Sequence, residues 1–149
     1  MPADVDSNVM VLFITNNGDD YAGLSSFIAK SPAHLESQCH SLSSGSVRAA
    51  VRLIRNKRIA IVLCEHRMGD SVWRDLLEET AGLPDGPHVI VTSRTADEQL
   101  WSEALNLGAY DVLATPFNPE ELERVLSSAL ARWNNRANRP PAAVLTAGQ

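Results

Sequence analysis

The most apolar stretch of the chain ends on a carboxylate. In Ile59-Ala60-Ile61-Val62-Leu63-Cys64-Glu65 the apolar residues run without alternation and stop at Glu65, the pattern of a strand covered on both faces whose charged end emerges at a sheet edge. By position alone Glu65 is a candidate catalytic or metal-binding group. It has few chemical collaborators. His66 and His88 lack the spaced partners of a metal site or a nucleophilic triad. Asn16-Asn17-Gly18 lacks the glycine spacing and lysine of a phosphate-cradling loop. With neither a nucleophile-base pair nor a cofactor loop, an enzyme is not expected.

The elements that must position Glu65 follow from periodicity. Val9 to Thr15 is a second continuous apolar run, stopped by Asn16-Asn17-Gly18. Asp19 stands as a cap for a helix carrying Tyr21, Leu24, Phe27 and Ile28, up to Pro32; Asp19 and Asp20 are read as capping and a solvated first turn rather than as metal ligands. Gln38 to Leu42 is expected as a short strand. Ser44-Gly45-Ser46 opens a helix with Val47, Ala50, Val51 and Ile54 inward and Arg48, Arg52 and Arg55 as a solvated basic face. After Glu65, Asp70 or Ser71 caps a helix that ends near Gly82 to Pro87. His88 to Thr92 is a strand, and Thr95 to Glu98 has capping-box spacing before Leu100, Trp101, Ala104 and Leu105. Tyr110 to Ala114 is the last strand, and Asn118-Pro119-Glu120-Glu121 starts the last helix with a cap, a proline and acids at the positive end of the dipole.

This alternation implies an α/β fold: a small doubly wound, five-stranded parallel sheet with helices on both faces, flavodoxin-like, joined by right-handed crossovers. Such folds bind ligands at the loops after the strand ends, which here carry Asn16, Asn17, Glu65, His66, Arg67, Thr92, Ser93, Arg94, Thr115 and Pro116. At 149 residues, 44% hydrophobic and with a formal charge of −5, the chain suits one domain without the positive field needed for broad nucleic-acid or membrane-surface binding. Two cysteines, one in the most apolar strand, fit a reducing cytoplasm better than a disulfide framework. Neither a signal peptide nor a membrane span is expected. The expected boundaries are a polar leader at 1–7, the domain at 8–133 and a loose tail at 134–149.

Val89-Ile90-Val91-Thr92-Ser93, the block Leu107-Gly108-Ala109-Tyr110-Asp111-Val112-Leu113-Ala114-Thr115-Pro116-Phe117, and the helix opened by Asn118-Pro119 together resemble the receiver domain of bacterial two-component response regulators over residues 8 to 132. The resemblance implies a phosphorelay signalling module. In ordinary receivers an aspartate at the end of strand three accepts a phosphoryl group, an acidic pair after strand one holds Mg²⁺, a hydroxyl follows strand four, and a lysine precedes a proline after strand five. Carried over, the acceptor position is Glu65, the acidic pair Asn16 and Asn17, the hydroxyl Thr92, the lysine position Thr115 and the candidate cis proline Pro116.

Three of those four elements are changed. Neutral amides and a hydroxyl replace the charges that hold Mg²⁺ and stabilise phosphoryl transfer, so Mg²⁺ binding is expected to be weak or absent, with no other cofactor. Glu65 then reads either as a permanent negative charge standing in for the phosphorylated state, with Thr92 and Thr115 as donors, or as one partner of an ion pair with Arg94 first and Arg67 second. The resemblance implies action by protein contact through helix four, strand five and helix five, about Glu98 to Trp133, with a homodimer as one form. Val112 occupies the usual aromatic switch position in the last strand. Trp133 reads as a better docking residue than Trp101. The alternatives are a receiver that still accepts phosphate and a flavodoxin-like module binding a small ligand or nucleotide.

Overall fold

The computed structural model describes residues 9–30, 39–68, 72–83 and 85–137. Strands β1 (Val9–Ile14), β2 (Cys39–Ser44), β3 (Ile59–Glu65), β4 (His88–Ser93) and β5 (Asp111–Ala114) alternate with helices α1 (Gly18–Lys30), α2 (Val47–Asn56), α3 (Val72–Ala81), α4 (Glu98–Asn106) and α5 (Pro119–Ala137). All pairings are parallel, in the order β2-β1-β3-β4-β5. This is the doubly wound sheet that the alternation implies.

The two-residue period of the strands divides the core. Val11, Phe13, Ile61, Leu63, Ile90 and Leu113 pack on α1 and α5 through Leu24, Ile28, Leu122, Val125 and Leu126. Leu12, Ile14, Val62, Cys64, Val89 and Val91 face α2, α3 and α4 through Ala50, Trp73, Leu76 and Leu100. Strands apolar in both phases are thereby buried on both faces, which is why β1 and β3 read as unbroken runs.

Local chemistry sets the helix ends. Ser46 caps α2, its side chain accepting from the Ala49 N–H at 3.1 Å, and Asn118 caps α5 by accepting from the Glu121 N–H at 3.1 Å. Gly108 takes a φ of 106° after α4, where the Ala109 N–H closes on the Ala104 carbonyl at 2.9 Å; a Cβ is strained there. The Thr115–Pro116 peptide is cis.

Several expectations shift. β2 runs from Cys39 to Ser44, two residues beyond the expected Leu42, because each of its residues pairs with β1, from Val9↔Cys39 to Ile14↔Ser44. The cap of α4 is Asp97, whose carboxylate accepts from the Leu100 N–H at 2.9 Å. Thr95 instead donates its N–H to the Ser93 hydroxyl at 3.0 Å, and this turn delays the helix by two residues. α5 continues to Ala137, past the boundary expected at 133. The leader at 1–7, the caps Asp70 and Ser71, and the remainder of the tail from 138 lie outside the described residues.

Candidate functional site

β1 is flanked by β2 on one side and β3 on the other, so successive connections leave it in opposite directions and open a crevice at the strands' carboxyl ends. Thr15 and Glu65 stand there side by side. Thr15 continues the phase of Val11 and Phe13, Glu65 that of Ile61 and Leu63, Thr92 that of Ile90, and Thr115 that of Leu113. All four therefore belong to the side of the sheet covered by α1 and α5.

The Thr15 hydroxyl donates to Glu65 Oε1 at 2.6 Å and accepts from the Asn17 N–H at 2.9 Å. Asn17 Oδ1 accepts from the Asp20 N–H at 3.0 Å, and the Asn17 carbonyl accepts from the Tyr21 N–H at 3.2 Å. Asn17 is thus the cap of α1. Asp20 lies one turn before Leu24 and two before Ile28, on the helix's inner stripe, and is only 7% exposed. Arg94, in the turn after β4 and half exposed, reaches both its oxygens, with Nη2 at 3.2 Å from Oδ2 and 3.4 Å from Oδ1.

These charges act on one another. Burial pushes the Asp20 carboxyl above its ordinary 3.8, the Arg94 guanidinium pulls it back part of the way, and the negative charges of Glu65 and Asp19 push it up again. Burial raises the Cys64 thiol to about 12, with Glu65 adding to the effect, and burial raises Cys39 to about 11. Neither sulfur is a nucleophile at neutral pH. Thr92 is fully buried beside Glu65 in the β3–β4 register, and its hydroxyl has no hydrogen-bond partner in the structure. Among the described residues, no three His, Cys, Asp or Glu side chains come together as a metal cage.

A five-stranded sheet of this order, with Thr92 near the end of β4, a cis proline after β5 and an acid closing β3, agrees with the match of residues 19–127 to the response regulator receiver domain model. The chain belongs to the response regulator receiver domain family. It is 29% identical over 106 residues to the transcriptional regulatory protein ZraR of Escherichia coli (strain K12), an alignment covering 71% of this chain and 24% of that protein. The chain thus matches about a quarter of that relative's length. Solved receivers share the fold. A response regulator from Thermotoga maritima superposes with a TM-score of 0.71 at 15% identity, covering 83% of this chain and 98% of that one. The beryllofluoride-activated NtrC4 receiver domain dimer gives 0.70 at 19%, over 83% and 98%. The receiver domain of an HD domain-containing protein from Pseudomonas fluorescens Pf-5 gives 0.69 at 18%, over 86% and 98%.

In this receiver Glu65, Thr92 and Thr115 stand at neighbouring strand ends, but the partners differ from expectation. Arg94 does not pair with Glu65. Its Nη2 goes to both oxygens of Asp20, the more buried carboxylate. Arg67 is exposed in the turn after β3 and makes no ion pair with Glu65 among the described residues. The donor to Glu65 is Thr15 rather than Thr92 or Thr115. Asn16 is exposed, and Asn17 is occupied in capping α1. Asp19, expected as the cap of α1, lies exposed in its first turn with Asn17 as the cap, and Asp20, expected to be solvated there, is buried.

Trp133 also departs from its reading. It is 6% exposed in the core beneath the Arg58 guanidinium, which lies 4.4 Å from its ring centre, while Trp101 on α4 is 50% exposed and Leu107, just past its end, 48%. Among the described residues no helix is long and apolar enough to cross a membrane.

Proposed function

We propose that this receiver signals without taking up a phosphoryl group, its crevice holding a fixed arrangement of charge in place of the phosphorylation chemistry. The observation that carries this reading is the seating of Glu65. A side chain at the acceptor position accepts a short hydrogen bond from Thr15, the residue just before the Asn16-Asn17 pair that stands where ordinary receivers carry acids. A phosphoryl acceptor needs a carboxylate oxygen free for attack and cations to neutralise the transferred group. Here Thr15 holds Oε1, Thr115 replaces the lysine, and the Arg94 guanidinium is engaged by Asp20. Mg²⁺ fits poorly for the same reason. The residues after β1 are neutral, and Asp20 already has a cation on it.

Output by protein contact is the matching half of the reading. The face formed by α4, β5 and α5 carries Trp101 and Leu107, large apolar side chains about half exposed, and apolar surface of that kind marks docking sites. A partner protein, or a second copy as in the NtrC4 receiver dimer, would bind there. Free, buried Cys39 and Cys64 suit the reducing cytoplasm in which such a module would work.

Incubation of the full chain with acetyl phosphate and Mg²⁺, followed by intact-mass measurement, tests the first half. The expected result is an unmodified mass, and a stoichiometric phosphoryl adduct would overturn the reading. Glu65→Gln tests whether the fixed charge has a conformational consequence, the expected outcome being altered amide chemical shifts in α4. Shifts confined to Thr15 and Asn17 would leave Glu65 a purely local hydrogen-bond acceptor.

A further inference from the structure

In the crevice, a relay of hydrogen bonds joins Glu65 to the residue that carries Asp20's carboxylate: the Thr15 hydroxyl donates to Glu65, the Asn17 N–H to Thr15, and the Asp20 N–H to Asn17. Two buried or half-buried anions on one rim repel one another unless a cation sits with them. The cation present is a side chain. Arg94 projects from a turn whose flanking residues are tied together, the Thr95 N–H donating to the Ser93 hydroxyl at 3.0 Å. The Thr115 N–H donates to the Ser93 carbonyl at 3.1 Å, securing the same turn to the end of β5. From this anchored base the guanidinium spans from β4 to α1 and meets both oxygens of Asp20 at 3.2 and 3.4 Å. One end of the pair is exposed to water and the other is fixed in the core on the inner stripe of α1.

We infer that Arg94 is the resident counter-cation of this crevice, a positioning residue that ties the β4–α4 turn to α1 through Asp20 and keeps divalent ions out. The inference deepens the fixed-charge reading above and rests on it. A divalent ion needs anionic oxygen ligands, and among the described residues Asp20 and Glu65 are the carboxylates that the Thr15–Asn17 hydrogen bonds bring to this rim, with Asp19 exposed beside Asp20. To reach Asp20 the ion must displace a guanidinium held on both of its oxygens, and even then it lies beside that positive charge. Removing the charge while leaving the carboxylates reverses both penalties. The Thr15 hydroxyl oxygen, already on Glu65, is a further neutral ligand at hand.

Mn²⁺ is the probe, titrated into the full chain and followed by the electron paramagnetic resonance of the free ion. Circular dichroism checks that each variant is folded. Arg94→Ala is expected to bind Mn²⁺ about tenfold or more tightly than the unaltered protein, as loss of a unit charge within contact distance implies. Arg94→Lys keeps the charge and should remain as weak as the parent. Asp20→Asn added to Arg94→Ala should abolish the gain. Arg94→Gln keeps part of the aliphatic stem and an N–H donor without the charge, so it serves if the alanine variant does not fold; its expected behaviour is that of Arg94→Ala.

A folded, charge-free Arg94 variant that binds no more tightly than the parent overturns the inference, as does a parent protein that already binds as tightly. A gain that survives Asp20→Asn places the ion elsewhere and overturns it too. These readouts are separate from the acetyl phosphate experiment: a phosphoryl adduct would sink the phosphate-independent reading whatever Mn²⁺ does.

Discussion

At the residue scale, Asp20 stands in surroundings unlike the ordinary ones of a helix-start acid. A carboxylate in the first turn of a helix normally gains from the dipole and from water, yet this one is buried, with Arg94 on one side and two further negative charges acting on it. Its titration therefore opposes folding at neutral pH. An acid whose pKa is higher in the folded than in the unfolded chain makes a contribution that is fully present below its ordinary 3.8 and is lost as pH rises through the folded value. The expected outcome for Asp20→Asn, measured by urea unfolding at a series of pH values, is a stability that gains on the parent as pH rises from about 3.8 toward neutrality. A constant difference across that window would mean that Arg94 fully compensates the burial. The position was legible in the sequence, because Asp20, Leu24 and Ile28 follow one another at four-residue steps. Composition argued the other way, since adjacent acids at a helix start usually face water.

At the element scale, legibility followed burial. The bounds of β3 coincide with the apolar run from Ile59 to Glu65, because a central strand covered on both faces admits no polar residue until it leaves the core. β2 was harder to read. It is an edge strand, Cys-His-Ser-Leu-Ser-Ser from Cys39 to Ser44, held by the β1 ladder more than by its own apolar side chains, so its pattern carries little signal. The start of α4 was ambiguous for another reason. Thr95 and Asp97 both have capping chemistry, and only the closing of the Ser93–Thr95 turn decides between them. Asp97→Ala should thus cost about 1 kcal/mol, the usual loss of a cap. Thr95→Ala should cost less, since the Ser93 bond uses the Thr95 backbone N–H and survives the change. Paired denaturant curves for the two variants check the assignment, and equal costs would restore Thr95 as the cap.

At the scale of the whole molecule, the sheet separates two jobs that the sequence presents in similar residues. Trp101 and Trp133 both stand on amphipathic helices bordering β5, and ring size gives no way to tell them apart. Their helices differ in what they cover. α5 lies over the phase of Phe13, Leu63 and Leu113, and Trp133 extends that contact at the far end from the crevice, with Arg58 over its ring. α4 is a short helix that contributes Leu100 and Ala104 to the opposite layer and turns Trp101 outward, with Leu107 exposed just past its end. Trp133→Ala should therefore cost about 3–5 kcal/mol in urea unfolding, as removal of a buried ring does. Trp101→Ala should change stability by no more than about 0.5 kcal/mol, as at other exposed positions. If the α4 face is the docking surface, Trp101→Ala should at the same time weaken self-association or partner binding, read by sedimentation or titration with an isolated partner. A Trp101→Ala variant as destabilised as Trp133→Ala would place Trp101 in the core and remove the main apolar feature from the proposed interface. A stable variant with unchanged association would move the docking surface off α4.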